Sequence, residues 1–239
     1  ARLLEYIRRP AAGGNRYDYV KWAMEIDYVT AAWCFPVAQG PGTVDVVISA
    51  DADHTGSEIP TSHTLTGTVS DTEENKLIDA AAAFTGTARP GDIAVNDDLG
   101  TDAEVTAVDS DGQLTLNANI FTAPGQAYTL KSLTVQVKEY IDTVRPVTAS
   151  VVRVLPPSVQ TENIEIEVAG AIDAAQAEAD IAALMIALGP GDPLYIDQIK
   201  TIAVNNGATR INSIVPAADV TPDAYEMIRP GTITVTKVA

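Results

Sequence analysis

Apolar residues alternate with polar ones in two different periods between residues 135 and 168, and this change divides the chain. Apolar residues at three- and four-residue spacings predict an amphipathic helix that ends before Pro146. They are Val135, Val137, Tyr140, Ile141 and Val144. Ser150–Leu155 is short and β-branched, which predicts a strand that Pro156 and Pro157 terminate. A second strand follows, with Ile164, Ile166 and Val168 on its buried face.

The stretch before residue 50 predicts helices followed by two strands. Residues 1–10 have Leu3, Leu4 and Ile7 on one side and arginines on the other, which predicts a short amphipathic helix. Asn15 is a suitable N-cap for a second helix over residues 17–25, with three residues directed inward. These inward residues are Val20, Ala23 and Met24. Apolar runs predict strands at residues 29–37 and 44–49, separated by the turn Gly40-Pro41-Gly42.

The composition changes at residue 51. From there to Lys131 the chain is dominated by Asp, Thr, Gly and Ala, and its basic residues are Lys76, Arg89 and Lys131. Short β-type runs alternate with turn signals, which predicts a small barrel or sandwich. The predicted strands cover residues 93–95, 103–108, 113–116 and 127–130. The helix-strand pattern resumes after Lys131, so we interpret this β module (residues 51–131) as an insertion.

The last part of the chain repeats the combination of helices and strands. Residues 173–188 are rich in Ala, with Ile181, Leu184, Met185 and Leu188 on one face, which predicts a helix. A second helix is predicted over residues 195–204, and strands over residues 209–214 and 231–238.

These patterns together predict an α+β protein. We expect two α+β sandwich-like domains, with a small all-β barrel or sandwich inserted in the first. The predicted domains are residues 1–50 plus 132–157, the inserted residues 51–131, and residues 158–239.

The composition excludes several classes of function. The net charge of −17 leaves no basic face for nucleic acid and disfavours binding to anionic membranes. Cys34 is the only cysteine, so an internal disulfide and a cysteine-based zinc cluster are excluded, and its apolar strand predicts a buried structural thiol. No apolar run approaches the roughly 18 residues of a membrane helix. The sequence begins without Met, so we expect a fragment or a processed product.

No set of residues in the sequence points to catalysis. His54 and His63 lie in the loop-rich region without a nearby cysteine or a nucleophile motif. With 32 acidic residues, a pair of carboxylates carries no information. Trp22 and Trp33 are expected to pack in a core rather than bind a ligand. We therefore predict no catalytic, cofactor-binding or metal-binding residues, and no enzymatic activity.

Two acidic stretches suggest weaker alternatives. Residues 109–113 resemble the start of a calcium loop, but the ligand spacing fails, and Asp-Gly between strands is the stronger signal of a hairpin turn. Asp51, Asp53 and His54 are interpreted as a solvated loop, with a metal site as the alternative.

The polar face of the strand after Pro157 also has more than one interpretation. Asn163, Glu165 and Glu167 alternate with its apolar residues and are expected to form its solvated face. The two glutamates are also consistent with protection of a sheet edge, or with an acidic contact face for a basic partner.

Two blocks of sequence resemble the baseplate J-like family of contractile-tailed phages, the Mu-type baseplate wedge proteins. The first has a Pro and paired Gly before a helix with Tyr and Trp-Ala, then a strand and a Gly-x-Gly-Thr-Val turn. Its residues are Pro10, Gly13, Gly14, Tyr19, Trp22, Ala23, Ala32, Pro36, Gly40, Gly42, Thr43 and Val44. The second comprises Val137, Tyr140, Arg145, Pro146, Val147, Val154 and Pro157. The C-terminal GTITVT is also similar, whereas residues 51–131 are extra to the family pattern.

This resemblance implies a structural role without catalytic residues. It implies a wedge subunit that assembles into a six-fold ring around the tail hub and is linked to the sheath. The implied partners are further copies of the chain and other baseplate or tail proteins, namely wedge, hub and sheath initiator. The implied location is the virion tail baseplate, with the host cytoplasm during assembly. We expect subunit contacts on the C-terminal domain and around Arg8 and Arg9, where a basic start meets an acidic body.

An acidic β-rich binding module is the alternative function. In that interpretation residues 51–131 bind calcium or a glycan, as in an adhesin.

Overall fold

A computed structural model describes residues 13–147 and 149–238 of the chain. The chain divides into two compact units at the junction of Pro156 and Pro157. The predicted α+β class is confirmed. The helix predicted over residues 1–10 lies outside the described residues.

The first unit contains three helices and nine strands among the described residues. In chain order they are α1 (Arg16–Ala23), β1 (Val29–Pro36), β2 (Thr43–Ala50), α2 (Ala52–Thr55), β3 (Thr64–Thr68), β4 (Lys76–Ile78), β5 (Ile93–Asn96), β6 (Thr101–Ser110), β7 (Gln113–Leu116), β8 (Ala127–Lys131), α3 (Leu133–Val144) and β9 (Val151–Leu155). The second unit contains β10 (Ser158–Gly170), α4 (Ala174–Ile186), α5 (Ile196–Asn205), β11 (Ala208–Val215) and β12 (Glu226–Lys237).

A three-stranded sheet and two helices form the α+β part of the first unit. The strand order is β1-β2-β9, with β1 antiparallel and β9 parallel to the central strand. Asn15 caps α1 as predicted, because its side chain accepts hydrogen bonds from the N–H groups of Tyr17 and Asp18. Helices α1 and α3 cover one face of this sheet. The buried core comprises Tyr19, Ala23, Val29, Val46, Ile48, Ala50, Leu133, Val137, Ile141, Val152 and Val154.

Two details of these helices differ from the prediction. Met24, expected to point inward, is 43% exposed, and Tyr19 is buried in its place. Helix α1 ends at Ala23, so Met24 is its C-cap and no longer follows the helical spacing. Val144, the last residue of α3, is similarly 37% exposed, whereas Val137 and Ile141 are buried.

The β module is a curled six-stranded sheet in the order β3-β8-β5-β6-β7-β4. All its strand pairs are antiparallel, and an isolated bridge between Asp71 and Ile78 joins the segment after edge strand β3 to the other edge strand, β4. The four strands predicted in the module are present. Strands β3 and β4 were not predicted. The module has a core of its own, formed by Val69, Leu77, Phe84, Ala88, Ala94, Ala103, Val105, Leu114, Leu116, Ile120, Phe121, Tyr128 and Leu130.

The second unit packs two helices on one face of a three-stranded sheet. Its order is β11-β10-β12, with β11 antiparallel and β12 parallel to β10. Asp173 caps α4 through a hydrogen bond from the N–H of Gln176. The core contains Ile164, Ile166 and Val168 from β10, with Ile181 and Met185 from α4. Strands β10 and β12 both begin earlier than their alternating patterns predicted. Their parallel pairing starts with Ser158 opposite Glu226, and this pairing extends both strands towards their N-terminal ends.

Candidate interaction surface

Described residues do not bring together a metal-binding group. Over residues 13–147 and 149–238, no three His, Cys, Asp or Glu side chains are placed to hold an ion. Asp109, the first residue of the calcium-like stretch, accepts hydrogen bonds from Lys76 Nζ at 2.9 Å and from Thr115 Oγ1 at 2.8 Å. The stretch turns from β6 into β7, with Ser110 paired to Gln113. The predicted hairpin is therefore confirmed.

The residues Asp51, Asp53 and His54 do not converge. Asp51 is the N-cap of α2 and accepts a hydrogen bond from the Asp53 N–H at 3.0 Å. His54 points towards strand β6, where its Nε2 lies 3.0 Å from Glu104 Oε1. The stretch therefore forms a capped helical turn, and its His54 side chain contacts Glu104 on strand β6.

His63, the second histidine, is packed beside a buried carboxylate. Its Nε2 is 3.3 Å from Asp92 Oδ2, an ion-pair distance, but neither ring nitrogen meets hydrogen-bond geometry with a partner among the described residues. Burial raises the pKa of Asp92, and the neighbouring His63 and the Arg89 N–H counteract this effect. The Ser132 hydroxyl accepts a hydrogen bond from the His63 backbone N–H at 3.0 Å, but among the described residues no serine, threonine or cysteine side chain is hydrogen-bonded to the His63 ring.

Cys34 and Trp22 pack against the core of the α+β part, whereas Trp33, also expected in a core, is half-buried and does not belong to that core. Cys34 is half-buried against the core, and burial raises the pKa of its thiol to about 11, so the reactive thiolate is disfavoured. Trp22 packs on the same core and meets Tyr19 edge-to-face, with ring centroids 5.2 Å apart. Trp33 pairs with Val47 in the register of β1 and β2, on the opposite sheet face from Cys34.

Glu104 of the β module is connected to the α+β part through Tyr28, and His54 at the start of the module completes the contact. Tyr28, immediately before β1, donates a hydrogen bond from its hydroxyl to Glu104 Oε1 at 2.8 Å. The His54 ring stacks on the Tyr28 ring, with centroids 3.8 Å apart and an interplanar angle of 1°, and reaches the same carboxylate oxygen. The hydrogen bond to Glu104 is the main reason why the pKa of Tyr28 is raised to about 12. This Tyr28–His54–Glu104 cluster therefore holds the module at a defined position on the α+β part.

Tyr28→Phe is expected to lower the free energy of unfolding of the first unit by about 1 kcal/mol. The variant loses the partly buried hydrogen bond to the Glu104 carboxylate but keeps the stacking of its ring on His54. Urea unfolding measures the change. Tyr195→Phe is the matched control. Tyr195 is 48% exposed, and its hydroxyl makes no hydrogen bond with a described residue. Equal stability of the two variants would show that the cluster does not hold the module.

A groove runs beside this cluster, between the outer face of the curled sheet and helix α3. Ile93 and Val95 of β5 form its floor, because the alternate residues Ala94 and Asn96 point into the module. Its wall is one stripe of α3, and its remaining lining residues are charged. The full lining is Ile93, Val95, Asp102, Lys131, Gln136, Glu139, Tyr140 and Thr143.

Polar contacts hold the two sides of the groove together. Gln136 Nε2 donates hydrogen bonds to the carbonyl of Gly91 at 2.9 Å and to that of Lys131 at 3.2 Å. Lys131 Nζ pairs with Glu139 Oε2 at 2.9 Å, and the Tyr140 hydroxyl donates to Glu25. These contacts come from three different elements, so the groove has a defined shape.

Negative charge is unevenly distributed along the sequence. The β module carries fourteen acidic and three basic residues, whereas residues 1–50 and 132–156 together carry seven acidic and eight basic residues. Residues 157–239 carry eleven acidic and four basic residues. The acidity of the chain therefore resides mainly in the module and in the C-terminal unit, where it favours contact with basic partners.

The polar face of β10 is occupied by local contacts. Asn163 accepts a hydrogen bond from the Thr232 N–H at 2.8 Å, and Glu167 accepts one from Ser213 Oγ at 2.9 Å. Glu165 is exposed between them. The predicted solvated face is present, and its use as an acidic contact face stays a prediction.

The two sequence blocks that carry the family resemblance lie next to each other in the α+β part. A Cβ on Gly14 would lie 2.6 Å from Pro146 Cγ, and a Cβ on Gly42 would lie 2.9 Å from Ser150 Oγ. Ser150 also donates its N–H to the carbonyl of Gly42 at 2.9 Å. Gly14 and Gly42 are thus required where the segment after α3 packs closely against them.

Comparison with known proteins identifies a relationship for this part of the chain. Residues 11–95 match the family described as the baseplate J-like central domain. The baseplate protein gp47 of Escherichia phage Mu is 53% identical over 49 residues, which are 20% of this chain and 14% of that protein. The Mu-like prophage FluMu protein gp47 of Haemophilus influenzae is 47% identical over 51 residues, 21% of this chain and 14% of that protein.

The predicted resemblance to the baseplate J-like family is confirmed. The baseplate J-like match covers less than half of the chain, and the aligned stretches cover a small part of each relative. It continues past Ala50 to residue 95, so the expectation that the module lies wholly outside the family pattern is wrong for residues 51–95. The second block of the resemblance lies outside the matched residues and stays a prediction.

Over the residues that the structure describes, no helix is long and apolar enough to cross a membrane. Glu104 and Tyr28 were not singled out from the sequence. Their roles depend on the contact between strand β6 and the loop before β1, which no local pattern indicates.

Proposed function

We propose that the chain is a structural wedge subunit of the baseplate of a contractile phage tail or a related injection machine. The match of residues 11–95 to the baseplate J-like central domain is the observation that carries this proposal. The names of the two relatives, a baseplate protein and a Mu-like prophage protein, agree with it. In this role the chain assembles with copies of itself and with wedge, hub and sheath-initiator proteins into a six-fold ring around the hub.

The residues of the matched region support a structural role. The glycines at positions 14 and 42 act in close packing, and the His54 side chain is engaged in a contact within the fold. The described side chains do not form a nucleophile–base pair with a substrate-sized cleft. The proposal accordingly contains no enzymatic activity, cofactor or nucleic-acid partner. It places the protein in the virion tail baseplate, and in the host cytoplasm during assembly.

Light scattering of the chain, alone and mixed with the baseplate proteins encoded beside it, tests this proposal. We expect the mixture to contain a species heavier than any component, growing towards a ring that electron microscopy shows as six-fold. Mixtures lacking one protein at a time identify the direct neighbours. A chain that stays separate from every one of those proteins would overturn the wedge role.

Mass spectrometry of purified tails is a second, independent test. We expect peptides of this chain in intact tails and in baseplates detached from sheath and tube, at a constant ratio to the hub protein. Recovery only from the unassembled fraction of the lysate would contradict a place in the virion.

A further inference from the structure

The groove beside α3 has the features of a site for an amphipathic segment. Its floor consists of the half-exposed side chains of Ile93 and Val95, and Tyr140 contributes an aromatic ring to its wall. An apolar floor of this kind binds apolar side chains, because the contact removes apolar surface from water. Because β5 pairs with β6 on one side and β8 on the other, the floor is a rigid part of the sheet.

The charges of the groove are predominantly negative. Asp102 and Glu139 line it, and Glu25 lies at its edge, hydrogen-bonded to Tyr140. The one basic lining residue, Lys131, is already paired with Glu139 at 2.9 Å. Asp102 is exposed and has no ion pair or side-chain hydrogen bond with a described residue. The groove therefore offers an unneutralised carboxylate beside an apolar floor, which complements a basic, partly apolar segment.

The sequence of this chain contains one such segment, at residues 1–10. It carries Arg2, Arg8 and Arg9 against a single Glu5, whereas the whole chain has a net charge of −17. Its apolar residues, Leu3, Leu4 and Ile7, fit the character of the groove floor. Basic and apolar side chains are thus combined in one short stretch.

We propose that the groove binds the basic N-terminal segment of a second copy of this chain. A ring of identical subunits needs a head-to-tail contact, in which two different surfaces of the same chain are complementary. The segment and the groove are such a pair, and the contact rests on the proposed function in a ring. Three arginines at an acidic rim set the orientation, and the apolar residues contribute the contact area.

A charge-swap experiment tests the contact. Asp102→Lys and the double variant Arg8→Glu with Arg9→Glu are made in separate full-length chains, and self-association is measured by light scattering at low salt. Each variant alone is expected to associate roughly tenfold more weakly, because like charges meet. An equimolar mixture should regain association, since both kinds of contact between unlike chains in it pair opposite charges, and only contacts between like chains stay repulsive. Asp71→Lys, an acidic residue elsewhere in the module, is the matched control and should associate normally.

Disulfide trapping decides whether the segment comes from a second copy. In a Cys34→Ala background, one chain carries Ile7→Cys and the other carries Val95→Cys, and the two are mixed under mild oxidation. We expect a crosslinked heterodimer, and none when Leu99→Cys, which lies on an exposed turn, replaces Val95→Cys. A chain with both Ile7→Cys and Val95→Cys that closes only on itself would overturn the contact between copies and indicate docking within one chain.

The outcomes separate this inference from the proposed function. A chain that joins the neighbouring baseplate proteins but shows neither crosslinking nor charge-swap rescue overturns the groove contact alone. A chain that crosslinks in the predicted way but joins no baseplate protein supports the contact and overturns the wedge role. Wild-type chain that does not self-associate at its highest soluble concentration, together with no crosslink between the Ile7→Cys and Val95→Cys chains, also overturns the contact.

Discussion

Phe84→Ala is expected to lower the free energy of unfolding of the β module by about 3–5 kcal/mol, the usual cost of deleting a buried aromatic ring. Phe84 is fully buried in the module core, and its ring lies 6.2 Å from that of Tyr128. The curled sheet closes around this core, so its other side chains have little freedom to fill the cavity. Denaturant unfolding monitored by circular dichroism measures the loss.

Leu99→Ala is the control for this prediction. Leu99 lies on the turn between β5 and β6 and is 53% exposed, so its truncation should change stability by less than about 0.5 kcal/mol. Limited proteolysis adds a second measurement, since a destabilised module should be cleaved between residues 51 and 131 first. If the Phe84 variant loses no more stability than the Leu99 variant, the module does not depend on a core of its own.

Gly67→Ala is expected to cost about 3 kcal/mol of unfolding free energy, because it combines overpacking with the loss of a buried hydrogen bond to a carboxylate. A Cβ at Gly67 would lie 2.5 Å from both Asp79 Oδ2 and the Tyr128 hydroxyl oxygen. These two atoms form a hydrogen bond of 2.9 Å in the interior of the module, and that bond together with burial raises the pKa of Tyr128. The added methyl group must displace one of them.

A double-mutant cycle makes the mechanism of this loss measurable. Tyr128→Phe removes the hydroxyl that the new methyl group would meet. Gly67→Ala should therefore lower the free energy of unfolding by less in the Tyr128→Phe variant than in the wild-type chain. We expect the double variant to be more stable than the sum of the two single changes predicts. Thr66→Ala, an exposed position on the same strand, is the control. Strict additivity would show that the clash at Gly67 does not act through the Tyr128–Asp79 bond.

The strands of the module that the sequence predicted correctly carry local signals. Strands β6, β7 and β8 alternate apolar residues with polar ones, so one face of each is recognisable without its neighbours, and β5 is a short β-branched run between turn signals. Strand β3 contains Gly67 as its fourth residue, and β4 spans three residues, so neither carries a readable pattern. Both are strands because a neighbouring strand supplies their backbone hydrogen bonds. Strand β3 pairs with β8, and β4 pairs with β7.

The candidate interaction surface was less predictable. The sequence indicated that charge was uneven and that the start of the chain was basic, but not which acidic residues would face a groove. Asp102 is one of fourteen carboxylates in the module, and only the pairing of β5 with β6 places it beside Val95. Glu104, two residues away, is instead used within the fold by Tyr28 and His54.

The sequence by itself determined the α+β class, the helices α1, α3, α4 and α5, the N-cap at Asn15, and the resemblance to the baseplate J-like family. These properties depend on residues close together in the chain, where hydrophobic period and turn chemistry act directly. The tertiary structure decided the order of strands, the Tyr28–His54–Glu104 cluster and the groove along α3. Each of these brings together residues tens of positions apart, and their contacts arise from the burial of three separate cores rather than from any local pattern.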